Sequence, residues 1–348
     1  MNWFIIIFVI IAIALYLITK YYVLKKQSVK EKIENFQNEQ KLSPTEKLSK
    51  YHNVKLEFLS PSEARGLVER GGKYFAGMNK PNLAARGCNS IDELYDKYLD
   101  AFDTITDDEQ NKVTLFMNEL LDDIKHRNES LYRYISRWLN SSSLAKAKPW
   151  LEGGMPHTLK QTLVMDAAWY QQPRRGTFIH ELAHVHQRSH PFEYEDLYDA
   201  LGYVYYPEPI KGLEFVYELN RNNPDGLAKE WVWHNRVNDT YWWIGAIFKG
   251  IEPASLGDVN YVALKLERSA DSKFYYLKQT PTPLSKLEGF DKYFGNNPNN
   301  YHPNEMGAKF AEWFLEDVLG SENRKQYYSY PGYLVYKKYF QNVLDKYY

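Results

Sequence analysis

Residues 177–188 read Thr177-Phe178-Ile179-His180-Glu181-Leu182-Ala183-His184-Val185-His186-Gln187-Arg188, with the pentapeptide H-E-x-x-H running from His180 to His184. Coiled as a helix, the stretch puts residues four apart on one face, so both imidazoles can reach one divalent metal while Glu181 projects beside them toward a metal-bound water. Ile179, Leu182, Ala183 and Val185 supply the apolar stripe of a helix packed on a core, leaving His180, Glu181 and His184 to face a cleft. Pro173 and Gly176 fit a loop that leads into the helix, and Pro191 fits a stop soon after Arg188. A surface helix with coincidental histidines is the competing reading, and the two-faced pattern speaks against it.

A catalytic zinc takes three protein ligands and keeps a fourth position open. Three residues compete for the third place. His190 follows His184 by the spacing of the longer three-histidine pattern, but Gln187 stands where that pattern has glycine for a sharp turn. Glu267 sits in an E-x-x-x-D spacing with Asp271, yet its flanks Tyr261–Leu266 and Phe274–Leu277 are strand formers, so the polar middle reads as a hairpin. Glu305 is preferred. Pro303 opens a helical run, which places Glu305 in its exposed first turn, and Ala308 one turn on leaves room for a second helix to approach. The plainer role for Glu305 is a glutamate favoured by the helix dipole.

Together, the strand-like Pro156–Met165, the H-E-x-x-H helix and Tyr301-His302-Pro303-Asn304-Glu305 resemble the gluzincin class of zinc metallopeptidases, over roughly residues 156–315. In that class a later helix with an E-x-x-A type motif supplies the third ligand. The resemblance implies a zincin-like α+β catalytic domain, His180, His184 and Glu305 as ligands of one Zn2+, Glu181 as catalytic base, and hydrolysis of peptide bonds in a protein or peptide substrate. Many members carry a second acid four residues after the ligand glutamate, where this chain has Lys309, and the stretch between His184 and Glu305 is long. Zinc lowers the pKa of its bound water, Glu181 takes the proton, and the hydroxide attacks a carbonyl whose developing charge needs a further donor. Tyr301, His302, His157 and His234 are the candidates for that donor. A catalytically silent zincin-like binding or structural protein is the alternative from another class, and the intact Glu181 argues against it.

No charged side chain occurs from Met1 to Thr19, and Lys20, Lys25, Lys26, Lys30 and Lys32 follow. This pattern predicts a single N-terminal transmembrane helix over residues 1–26, with Lys20 snorkelling, and the lysine excess places the remainder on the cytoplasmic or interior side of the bilayer. The absence of a basic segment before the run, and of a small-residue cleavage site after it, disfavours a signal peptide. The single cysteine, Cys88, excludes an intrachain disulfide and suits a reducing compartment. Residues 27–50 read as a polar stalk.

The catalytic domain is expected over 51–348, as a mainly helical lobe (51–155) and a metal-site lobe (156–348). Capping boxes at Ser60-Pro61-Ser62-Glu63 and Thr106-Asp107-Asp108-Glu109 predict helices after each. Helical spacing continues through Leu115, Met117, Leu120, Leu121 and Ile124, then Leu131, Tyr132, Ile135 and Leu139. Leu159–Met165 reads as one strand at the cleft edge, where an extended peptide would add, and Asn222–Gly226 as a turn. Trp231, Trp233, Trp242 and Trp243 read as core. A formal net charge of −1 and the lack of a basic half leave nucleic-acid binding without support.

Overall fold

The boxes at Ser60 and Thr106 both open helices. Each hydroxyl accepts the backbone N–H of the glutamate three positions on, whose carboxylate accepts the cap's own N–H, and helices follow over Pro61–Arg65 and Asp107–Lys125. A third box, at Ser43, starts a helix over Pro44–His52 inside the stretch expected as a stalk. That helix docks on Asp107–Lys125, burying Leu48 and accepting a 2.8 Å bond from Asn118 Nδ2 to the Pro44 carbonyl. The computed structural model describes residues 42–225, 231–277, 279–297, 299–322 and 324–348, together with Lys20, Tyr21 and Lys25. Over these residues the chain is a mixed α+β protein with fifteen α-helices and two sheets. No helix among them is long and apolar enough to cross a membrane. The apolar run from Met1 to Thr19 lies outside the described residues.

The first sheet contains β1 (Glu57–Phe58), β2 (Phe102–Asp103), β3 (Ser143–Ala147), β4 (His157–Leu159) and β5 (Thr162–Asp166). Its order is β1-β3-β5-β4, with β1, β3 and β5 parallel, β4 antiparallel to β5, and β2 antiparallel to the C-terminal half of β3. The central pair is largely buried on both faces, and Leu144-Ala145 and Leu163-Val164-Met165 run apolar without alternation. Leu144, Leu163 and Met165 join the core under the long helices, while Ala145, Ala147 and Val164 join the core under the short helices of residues 61–99. Strands from either side of residue 155 thus share one sheet. The stretch expected as one strand over Leu159–Met165 is instead the turn and second arm of a hairpin, because Lys160 takes a left-handed φ of 54° and reverses the chain.

The second sheet is antiparallel throughout: β6 (Tyr203–Tyr205), β7 (Trp231–Asn235), β8 (Thr240–Phe248), β9 (Val259–Arg268), β10 (Phe274–Tyr276) and β11 (Thr282–Pro283), in the order β10-β9-β8-β7-β6 with β11 also on β9. Its tryptophans pack as core: Trp231, Trp233 and Trp243 are buried, and Trp242 is half-buried beside them. Of the expected apolar helix positions, Met117, Leu120, Leu121, Ile124, Leu131, Tyr132, Ile135 and Leu139 are buried, whereas Leu115 points to solvent. The helices Arg175–Ser189 and Pro303–Leu319 pack against each other, and the first also packs on β4 and β5.

Candidate metal centre

Phe178, Ile179, Leu182, Ala183 and Val185 pin the helix Arg175–Ser189 into the main core. That burial carries the motif inward as well: His180, Glu181 and His184 are 8, 4 and 2 % exposed. The helix begins a turn earlier than its sequence suggested, with Arg174 as cap and Gly176 inside the first turn, and Pro191 opens the following helix Pro191–Ala200. Across from it Pro303 occupies the first turn of Pro303–Leu319, and the His302 ring caps that helix by accepting the Asn304 N–H at 3.1 Å. Glu305 is thereby turned inward and is 5 % exposed. The close approach of the two helices depends on Gly307 as well as the expected small residue Ala308, since a Cβ at Gly307 would stand 2.9 Å from Gln187 Nε2.

These elements bring His180, His184 and Glu305 together, with ligand atoms within 4.8 Å of one another. Glu305 Oε2 is 3.4 Å from His180 Nε2 and 3.8 Å from His184 Nε2. The other ring nitrogens are engaged. His180 Nδ1 donates to Glu312 Oε1 at 2.8 Å, because a carboxylate can only accept. His184 Nδ1 meets Gln187 Oε1 at 2.8 Å, and the amide's orientation follows from its Nε2 donating to the Asn304 carbonyl at 2.8 Å. Both Nδ1–H groups being donors leaves the Nε2 lone pairs for a metal. His184 Nε2 is buried with no hydrogen-bond partner among the described residues, a costly state for a ring nitrogen that metal coordination would relieve. The donor set of two imidazoles and a carboxylate suits a divalent transition ion. The group could hold one metal ion.

Around it, Asn223 Nδ2 donates to Glu305 Oε1 at 2.5 Å and to the Tyr301 hydroxyl at 2.8 Å. Lys309 Nζ lies 2.6 Å from Glu312 Oε2, so the lysine standing where the resemblance leads one to expect an acid holds an acid further along. Burial works to raise the Glu305 carboxyl, but the charge of His184 and the approach of the His180 ring outweigh it and hold the group well below the usual carboxylate range. Burial tends to discharge His180, yet Glu305 and Glu312 hold its pKa well above 6.5. Protons and a cation therefore compete for the same nitrogens. Glu181 behaves oppositely. Burial, then the nearby Asp225, push its carboxyl up to about 8 against the pull of His180 and His184, and its Oε2 has no partner among the described residues.

A cleft of about 350 Å³ opens over these groups and includes Glu181, His180, Glu305, Tyr301 and His157 in its walls. His157, on β4, turns Nδ1 to the Met155 carbonyl at 3.1 Å and leaves Nε2 buried without a partner among the described residues. The edge of β4 is less open than its position suggests. The Thr158 N–H, which points away from β5, is taken by Asp225 Oδ1 at 2.7 Å, so that donor is not open to a peptide strand.

The competing residues fall elsewhere. His190 packs its ring on Trp138 and His186, 5.3 and 5.0 Å between centroids, at the far end of the motif helix. Glu267 pairs with Tyr275 in the β9–β10 hairpin of the second sheet. His234 stacks on Tyr241 and bonds Asp239, and His302 is used as a cap, so neither serves as the extra donor. Sequence reasoning missed Glu312, Gln187, Asn223 and Asp225. The signal for Glu312 was present, since it follows Glu305 by two helical turns on one face. Asn223 and Asp225 had none beyond their turn-forming composition. Comparison with family models, with curated proteins and with solved structures finds no match to this chain.

Proposed function

We propose that the chain is a zinc-dependent metallopeptidase of the gluzincin type, in which His180, His184 and Glu305 hold the metal and Glu181 is the general base. The observation that carries this reading is a pair of buried atoms without a hydrogen-bond partner among the described residues, His184 Nε2 in the metal group and Glu181 Oε2 beside it, next to the Glu305 carboxylate. A divalent zinc, when bound there, supplies a Lewis acid for a carbonyl and lowers the pKa of water. Glu181 takes a proton from the attacking water at Oε2 and delivers it to the departing amine. Its buried surroundings raise the affinity of the carboxylate for the proton that it must accept. Glu312 and Gln187 keep the imidazoles oriented through their Nδ1–H groups, and Asn223 fixes the free oxygen of Glu305. The Tyr301 hydroxyl accepts from Asn223 and lines the cleft, which leaves its own hydrogen available as the donor for an oxyanion.

The proposal extends to the rest of the chain: one catalytic unit over 51–348, fixed by residues 1–26 to a membrane and facing its cytoplasmic or interior side. The test is metal content of the full chain by mass spectrometry, for wild type and for His184→Ala, Glu305→Gln and Glu181→Gln, followed by cleavage of a peptide library. One zinc per chain, lost with His184→Ala, weakened with Glu305→Gln and kept with Glu181→Gln, together with cleavage that Glu181→Gln abolishes, is the expected result. Zinc held without any turnover would make the chain a binding protein, and no zinc in any variant would end the reading. Residues 1–26 are tested by carbonate extraction of membranes. A full chain that washes off, or a chain lacking 1–26 that stays on, would remove the anchor.

A further inference from the structure

We infer that Arg221 forms a carboxylate-binding subsite beside the metal group, so that preferred substrates carry a negative charge close to the scissile bond. This rests on the hydrolase reading above and adds a substrate class to it.

Most charges in the cleft are already matched. Arg86 and Glu152 form a buried fork-to-fork pair, with Arg86 Nε 3.0 Å from Oε1 and Nη2 2.8 Å from Oε2. Glu312 is matched by Lys309 and His180. Asp225 accepts from Thr158 and has Arg188 at 3.8 Å. Glu305 and Glu181 belong to the metal group and to the base. Arg174 stands exposed at the rim, where water serves a guanidinium adequately.

Arg221 remains, and it is the half-buried cation of the cleft for which no carboxylate within ion-pairing distance is found among the described residues. Its backbone is tied down, the N–H donating to the Ala246 carbonyl at 2.9 Å. Its guanidinium lies over the Tyr301 and Tyr261 rings, with Cζ 5.1 and 5.9 Å from the centroids. Its hydrogen bond among the described residues is a long one, 3.4 Å from Nη1 to the Leu256 carbonyl, and the Tyr301 hydroxyl is near enough to act on its charge. A guanidinium has five N–H donors in a planar fork, so most remain for a ligand. Taking a cation out of water is costly unless an anion meets it, and here the anion is missing until substrate arrives. Tyr301 and Asn223 link this guanidinium to Glu305, which places the subsite next to the reacting bond. The donor taken up at Thr158 gives the subsite its purpose, because a peptide denied that bond along β4 needs another group to fix its register. The anions of an unmodified peptide are its terminal α-carboxylate and its acidic side chains, and both present the two oxygens that this fork fits.

The test uses the full chain carrying Glu181→Gln and loaded with zinc, and measures the Kd of three forms of one probe by fluorescence anisotropy. The probe is a labelled Ala-Ala-Phe-Ala-Ala peptide in an uncharged form blocked at both ends, a form with a free α-carboxylate, and a blocked form with glutamate after the phenylalanine. One of the charged forms is expected to bind at least tenfold more tightly than the uncharged one, and which of them does so identifies the source of the carboxylate. Arg221→Gln should erase that preference and Arg221→Lys should keep part of it. The lysine variant decides the matter if the glutamine variant loses its zinc or its circular dichroism spectrum. Equal binding of all three forms, or a preference that survives Arg221→Gln, overturns the subsite, and cleavage of the uncharged form by wild type would then leave the hydrolase standing. Arginine-dependent binding of a charged form without turnover by wild type would remove the hydrolase and leave the subsite.

Discussion

Glu312 shows how much a single carboxylate can govern. It reaches His180 Nδ1 from two turns beyond Glu305, takes Lys309 as its counter-ion, and so fixes the ring whose Nε2 faces the metal group. Glu312→Gln keeps the shape but loses the charge that raises the basicity of His180, and is expected to weaken zinc binding about 10- to 100-fold. Competition with a chelator of known affinity measures this, and an unchanged zinc affinity would falsify the orienting role. At Glu152 the charge serves stability instead. The residue sits in the left-handed region at φ 47° and its carboxylate accepts from Arg86, Tyr74 and Tyr98. Burial alone would raise its pKa, but the Arg86 charge outweighs it and holds the group down to about 2, against 4.5 when free. A carboxylate with a depressed folded pKa stabilises the fold fully above about pH 4.5 and loses that contribution as pH falls toward 2. Glu152→Gln, which leaves Arg86 buried and unpaired, should cost about 3 kcal/mol at neutral pH and flatten the acid limb of stability. Urea midpoints at pH 7, 5 and 3 check both, and parallel pH profiles for wild type and variant would show that Glu152 is not the titrating group.

At the scale of elements, two glycines stand where supporting side chains pass between the paired helices. A Cβ at Gly307 would meet Gln187 Nε2 at 2.9 Å, and one at Gly176 would meet Glu312 Oε2 at 3.2 Å. Each contact is the far end of a movable side chain, so Gly307→Ala should hold its stability to within about 1 kcal/mol, because alanine favours a helix. The displaced Gln187 would release His184 Nδ1, and zinc affinity should fall further than in Gly176→Ala, where the gap is wider. Zinc titrations of the two variants beside their unfolding midpoints separate these effects, and a destabilised Gly307→Ala with normal zinc affinity would contradict the account. The same elements mark what could be read from the residues beforehand. The helix Arg175–Ser189, the helix after Pro303, the capping boxes and the β9–β10 hairpin follow from local rules of period, cap and turn, whereas Glu305, expected in an exposed first turn, is buried where the two helices pack. The β4–β5 hairpin did not, because Lys160 carries its turn without glycine or asparagine. Gln187, read as an obstacle to a three-histidine site, turns out to support His184, and that role depends on the Asn304 carbonyl, far along the chain. Asn223 and Asp225 likewise acquire their meaning only from Glu305 and Thr158, partners that tertiary folding supplies.

For the whole molecule, the segment 220–225 acts as a seam. Asn220 bridges to Ile247 of the second sheet, Asn222 donates its N–H to Asn82 Oδ1 and its Nδ2 to the Gly77 carbonyl in the helical part, Asp225 holds β4 of the first sheet, and Asn223 holds Glu305. The metal group therefore sits where distant stretches of chain converge, and both helices that carry it belong to the largest core. Without a cation this junction gathers Glu181, Glu305, Glu312 and Asp225 in a buried space around two imidazoles, and Asp225 already disfavours the charged form of Glu181. A cation that binds the folded chain and not the unfolded one must stabilise it by mass action, by about 4 kcal/mol when free zinc is a thousand times its Kd. The unfolding midpoint of wild type should accordingly rise with zinc concentration, and His184→Ala should show no such rise. The pH dependence of the gain has a definite sign. Folded His180 and His184 are held above their ordinary pKa by Glu305, so zinc must displace protons from them, and its stabilising effect should weaken as the solution is made more acidic. Scanning the midpoint against zinc at pH 8 and at pH 6 tests the coupling directly: a zinc effect equal at both, or one retained by His184→Ala, would mean that the stabilising ion binds somewhere other than this junction.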